Sequence, residues 1–185
     1  MAMPTSRAGG GVGRASPPSK GLWPLLALVC LAPAQARILQ PGDDWCAALN
    51  AAAPGEQILL AAGVHRSACK IRNRGTAEQP LVLASADTGS GRAQLAPASD
   101  KDNVIEVLGA AHLTIRDLDF LPTEPFIDAI RIKHGEDVTV EGCRFRGLGG
   151  HGVAVGNGDV SRVSVRGNRF RQRPTCVGLG ASPVL

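Results

Sequence analysis

The sequence predicts an all-β chain, a solenoid wound from one ribbon so that each strand pairs in parallel with its own copy a turn later. Three observations predict it. "HLTIRDLDF" begins at His112, "DVTVEGCRF" at Asp137 and "RVSVRGNRF" at Arg162, one pattern at a spacing of 25 residues. Inside each segment apolar and polar residues alternate, the period of a half-buried strand rather than of a helix. A second alternating run precedes each segment: "NVIEV" from Asn103, "DAIRI" from Asp128 and "HGVAV" from His151, while "TCVGL" from Thr175 opens another round. Tandem units of this length with short strands and no helical pattern make a solenoid.

The first 36 residues stand outside that pattern. Arg7, Arg14 and Lys20 precede the apolar run "LWPLLALVCLAP", and "AQA" closes at Ala36. This is the layout of a secretory signal peptide with a small-x-small cleavage site. The run is short for a membrane span and contains Pro24 and Pro33. Val29 before Cys30 is not the small residue that a lipoprotein signal needs. Export to a secreted or periplasmic location is therefore expected, with residues 37–185 as the mature domain.

Asp43 and Asp44 suit the N-terminus of a short helix through "WCAALNAAA", ended by Pro54-Gly55. Trp45, Ala48, Leu49 and Ala52 give it one apolar face. A solenoid needs such a lid, at about residues 42–53, because its open end exposes core to water. Coils are expected from about residue 56. "EQILLAAGVH" and "PLVLASADTG" supply the first turns.

In the repeats, Leu113, Ile115, Val138, Val140, Val163 and Val165 point inward, each stacking on its copy in the next turn. Phe120, Phe145 and Phe170 form a column of rings, and three of the chain's four Phe are spent there. Arg116, Glu141 and Arg166 face outward as a ladder of alternating charge. The chain stops at "CVGLGASPVL", part-way into a further turn, so its C-terminal end reads as incomplete.

Charge excludes one large class of partner. The leader holds three of the 20 basic residues and none of the 16 acidic ones, leaving 17 against 16. A surface so nearly neutral does not predict nucleic-acid binding. A monomer is expected, with no membrane span once the leader is removed. Cys46, Cys69, Cys143 and Cys176 remain after the leader, and four cysteines allow three pairings. Cys46–Cys69 is favoured, since both lie in the first structural unit; buried free thiols are the alternative. Cys143 takes the place of Leu118 and Asn168 in the repeat, so packing accounts for it.

"PGEQILLAAGVHR", then "IRNRGTAEQPLVLASADTG" and the 25-residue repeats, resemble the opening of secreted right-handed, single-stranded parallel β-helix proteins of the pectate-lyase-like superfamily. Within it they look most like the polysaccharide lyases acting on alginate or chondroitin. The resemblance covers roughly residues 40–180. It implies an acidic polysaccharide as partner and β-elimination at a uronic acid as reaction. Family lyases usually carry a basic catalytic pair, some with an acidic calcium site. No segment matches a family catalytic motif closely enough to transfer its residues. The same architecture also serves non-enzymatic surface proteins, so a non-catalytic repeat protein is the competing reading, and an N-terminal piece of an enzyme with its site beyond Leu185 is a third.

Stacking supplies the local candidates. Asn103, Asp128, His151 and Thr175 each open the first strand of a turn and fall in one polar column. Asp128 beside His151 would fix the imidazole tautomer and raise its basicity, as a general base requires. Arg131, three residues on and outward, would meet a uronate carboxylate and acidify the neighbouring C–H; a surface charge opposite Glu106 is its bland reading. Lys133 and His134, near the corner at Gly135, are candidate substrate-binding residues. His65 and His112 read as partly exposed and ordinary. Nearly all aromatic side chains are expected inward, which disfavours sugar stacking. No cofactor is expected. No His or Cys pair has zinc-finger spacing and Asp43-Asp44 caps a helix, while the two carboxylates of Asp117/Asp119 leave only weak calcium binding open.

Overall fold

In the computed structural model the described residues are 35–89, 91–156, 158–171 and 177–179. Residues 1–34 of the leader, Thr175 and Cys176 lie outside them. Strand β1 (Ala36–Leu39) precedes helix α1 (Trp45–Asn50), followed by β2 (Gln57–Leu60), β3 (Gly63–Ser67), β4 (Cys69–Ile71), β5 (Leu81–Ser85) and β6 (Ala93–Pro97). Then come β7 (Ile105–Arg116), β8 (Asp119–Phe120), β9 (Ile130–Glu141), β10 (Arg144–Arg146), β11 (Val153–Val155), β12 (Val160–Arg166), β13 (Arg169–Arg171) and β14 (Val177–Leu179). All pairings are parallel, and they assemble a β-solenoid with three faces.

The first face runs β1-β2-β5 and continues through the C-terminal halves of β7 and β9 to β12. The second is the five-stranded sheet β3-β6-β8-β10-β13. The third joins β4, the N-terminal halves of β7 and β9, β11 and β14. Strands β7 and β9 each bend across two faces, and register shifts at Val107/Leu108 and Leu108/Ala110 mark that bend. Gly109, at φ +110°, makes the turn there in a conformation open mainly to glycine.

The alternating pattern translates directly into the core. Leu113, Ile115, Val138 and Val140 are fully buried, and each pairs with its copy one turn away. Phe120, Phe145 and Phe170 stack with ring centroids 4.8 Å apart and interplanar angles of 11° and 7°. Stacking of near-parallel rings adds to the burial of the rings themselves. Cys143 is free and buried beside them; burial, opposed in part by a Leu118 backbone hydrogen bond, pushes its thiol up to about 12.

Helix α1 closes the N-terminal end as the lid. The Asp44 carboxylate accepts from the Ala47 N–H at 2.9 Å, and Trp45 and Leu49 are buried. Asp43 does not cap the helix; it accepts from the Gln40 N–H at 2.7 Å. Cys46 and Cys69 form a disulfide with Cα atoms 5.4 Å apart, tying the lid to β4. Asn50 and Asn73 add side-chain bonds between lid and first coil.

Three expectations need correction. His65 is buried, because it follows outward Val64 in β3 and occupies the inward position paired with Leu95, below the Phe column. Its Nε2 bonds the Ala61 carbonyl at 2.9 Å. His112 is partly exposed as expected, yet not ordinary: it has φ +49°, and its Nδ1 lies 3.1 Å from Asp137 Oδ2. The outward charge ladder forms only in part. Arg166 bonds Glu141 at 2.7 Å, whereas Arg116 turns to its neighbour Asp117 at 3.0 Å.

Candidate functional site

The loop from β8 to β9, residues 121–129, stacks on the loop from β10 to β11. Thr123 Oγ1 donates to the Ile127 carbonyl and accepts from the Gly149 N–H. A Cβ at Gly149 would sit 2.2 Å from the Glu124 carbonyl oxygen, so the two loops touch backbone to backbone. This contact brings the starts of β9 and β11 together on the third face.

There the polar column forms from Asn103 through Asp128 to His151; Thr175 lies outside the described residues. Asn103 Oδ1 accepts from the Asp128 N–H at 2.8 Å, and Asp128 Oδ1 accepts from the His151 N–H at 2.8 Å. Each side chain satisfies a backbone donor one turn on, which accounts for the Asn/Asp choice at strand starts. Asp128 then does more than turn a corner. The same Oδ1 lies 2.9 Å from His151 Nδ1, and Oδ2 accepts from Arg131 Nε at 2.8 Å.

The Asp128 side chain is only 2 % exposed, while His151 and Arg131 are 36 % exposed. A buried carboxylate facing Nδ1 selects the tautomer with the proton on that nitrogen, leaving Nε2 as an acceptor. Arg131 commits Nε to Asp128, and its terminal nitrogens have no partner among the described residues. They retain the fork that binds a carboxylate through two hydrogen bonds. In register, Arg131 pairs with Ala154 on one side and Glu106 on the other, so the small Ala154 leaves room beside the guanidinium.

Lys133 joins this face but is held by Glu106 at 3.1 Å. Burial disfavours ionised Glu106, yet hydrogen bonds from Lys133 and Asn103, with the charges of Lys133 and Lys70, outweigh it and keep its pKa below the usual value. His134 stands apart at the bend, where its Nδ1 accepts from the Asp159 N–H at 3.2 Å. A Cβ at Gly158 would meet the Lys133 carbonyl at 2.1 Å and the His134 ring at 2.5 Å, so the ring is wedged under that turn. Of the five sequence candidates, His151, Asp128 and Arg131 form one cluster, Lys133 flanks it and His134 serves the corner.

Sequence reasoning missed Phe126. It is 91 % exposed and holds φ +66°, two residues before Asp128. A bulky side chain in the left-handed region costs about 1–2 kcal/mol, and such strain gathers at binding sites. Its signal in the sequence was negative: it is the one Phe outside the ring column. Among the described residues no group of three or more His, Cys, Asp or Glu side chains is arranged to hold a metal ion. No described helix is long and apolar enough to cross a membrane.

The fold is a three-faced parallel β-solenoid lidded by a short helix. It is similar to the solved structure of an alginate lyase from Paenibacillus sp. str. FPU-7, with TM-score 0.55 and 19 % sequence identity over 75 % of this chain. The match covers 58 % of that enzyme's chain. No protein-family model matches the sequence, and no curated protein matches it.

Proposed function

We propose that the protein binds an acidic polysaccharide across its third face and cleaves it by β-elimination at a uronic acid. The observation that carries this reading is the His151–Asp128–Arg131 cluster, a buried carboxylate that orients an imidazole and a guanidinium on the same exposed face. The likeness of the fold to an alginate lyase supports it.

In this mechanism the Arg131 fork takes the uronate carboxylate. Neutralising that charge acidifies the proton on the adjacent ring carbon. His151 Nε2 removes the proton, the electron pair becomes a carbon–carbon double bond, and the glycosidic C–O bond breaks. The imidazolium returns its proton to the departing oxygen. The chain contains no Tyr, so the usual phenolic acid is missing and His151 serves both transfers. Asp128 stabilises the imidazolium between them. Lys133 and Phe126 are assigned to neighbouring sugars, one by its charge and one by its exposed ring.

The Cys46–Cys69 disulfide fits an exported protein in an oxidising compartment. The chain acts as a monomer and without a cofactor. Incubation with alginate, pectate and chondroitin, read as ultraviolet absorbance of unsaturated uronate, tests the reading. Product with one polymer that is lost in His151→Ala supports it. Retention on the polymer without product identifies a binding module instead.

A further inference from the structure

A second basic surface lies on a different side of the coil. On the second face the outward residues stack in register as Val64, Gln94, Asp119, Arg144 and Arg169. Beside them Arg146 pairs with Arg171. Arg66 is the one outward charge on the first rung, held near the Pro97 carbonyl; the face then passes through Gln94 and one carboxylate to four arginines on its last two rungs. Those four line a cleft whose floor is Phe145.

Charge in this cleft is not balanced. Arg144 and Arg146 both reach Asp119 Oδ2, at 3.7 and 3.2 Å. Arg169 and Arg171 are exposed and have no carboxylate partner among the described residues. Like charges directly opposite each other on paired strands repel, so two stacked Arg–Arg pairs are an unfavourable arrangement until an anion lies between them. Guanidinium forks one rung apart present paired donors to oxyanions repeated along a chain.

We propose that this cleft is an anion-binding site for an acidic polysaccharide, taking its carboxylate or sulfate groups between the Arg144/Arg146 and Arg169/Arg171 rungs. It is separate from the His151 cluster and does not depend on it. A nucleic-acid strand is the less suitable polyanion. Single-stranded sites stack bases on exposed rings, and here the Phe145 ring is 1 % exposed.

The test uses the full exported chain and the double variant Arg169→Ala/Arg171→Ala, whose exposed side chains leave the core untouched. Retention is measured on alginate, on dextran sulfate, on neutral dextran and on single-stranded DNA. The site predicts retention by alginate or dextran sulfate, lost at high salt, with affinity about tenfold or more lower in the double variant at unchanged Tm. Retention by alginate alone assigns carboxylate; retention by dextran sulfate alone assigns sulfate. Equal retention of wild type and variant overturns the proposal, as does tighter binding of DNA than of either polysaccharide. His151→Ala, measured alongside, reports on the other face, so the two can fail separately.

Discussion

Asp128 and His151 stand 23 residues apart in sequence yet share two hydrogen bonds, since one carboxylate oxygen takes both the backbone N–H and the ring Nδ1 of His151. A single atom thus joins two roles. It closes the corner between turns, and it fixes which ring nitrogen is left as an acceptor.

The two roles separate by substitution. Asp128→Asn keeps an acceptor for the His151 N–H but removes the charge that stabilises the imidazolium. Product formation on the preferred polymer should fall by a factor of about 10² or more, the usual worth of general-base catalysis, with a loss of stability under about 2 kcal/mol. Asp128→Ala should lose both activity and several degrees of Tm. Equal activity of Asp128→Asn and wild type would contradict the assigned role.

Phe126 gives a case where binding and stability diverge. Its ring is exposed and its backbone is left-handed, so Phe126→Gly removes no core contact and relieves strain. Thermal unfolding should show an unchanged or raised Tm, while affinity for alginate oligosaccharides falls. A lowered Tm with unchanged affinity would make the ring structural.

The ring column should be the most sensitive packing element. Phe145→Ala leaves a void between Phe120 and Phe170 and should destabilise by about 3–5 kcal/mol in denaturant titration. Phe145→Leu, which refills much of the volume, should cost visibly less.

Acid should loosen the first face. Asp137 bonds Arg162, and that hydrogen bond, with the charges of Arg162 and His112, lowers its pKa despite some desolvation. A carboxylate whose pKa is lower folded than unfolded stabilises above its unfolded pKa, about 3.9, and loses that contribution as pH falls through the folded value. Asp137→Asn should therefore be less stable than wild type at neutral pH, and the gap should close in acid.

How much of this was legible in the sequence follows from the stacking. The inward column Phe120, Phe145 and Phe170 could be read at once, because packing against a copy forces repetition. The Asp128–His151 contact was readable too, since both open a strand and register does the rest. His112, Asp137 and Arg162 concealed something further. The first letter of each repeat holds a left-handed backbone, φ +49°, +50° and +50°, although none is Gly. Only the coil explains it, as each side chain contacts that of its copy one turn on. His65 was misread because inward position and residue type conflict. Phe126 was missed because loop residues outside the repeat carry no periodic signal. The arginines of the second face were counted but not placed, since pairing across rungs decides which of them share a carboxylate.

In the proposed reaction Arg131 holds a uronate carboxylate while His151 acts on the neighbouring C–H. Isothermal titration with alginate oligosaccharides, run beside product formation for wild type, Arg131→Ala and His151→Ala, tests it most directly. Arg131→Ala should bind about tenfold or more weaker, a loss of about 1.4 kcal/mol or more, while His151→Ala should bind but make no product. Wild-type affinity in Arg131→Ala together with wild-type turnover in His151→Ala would contradict it.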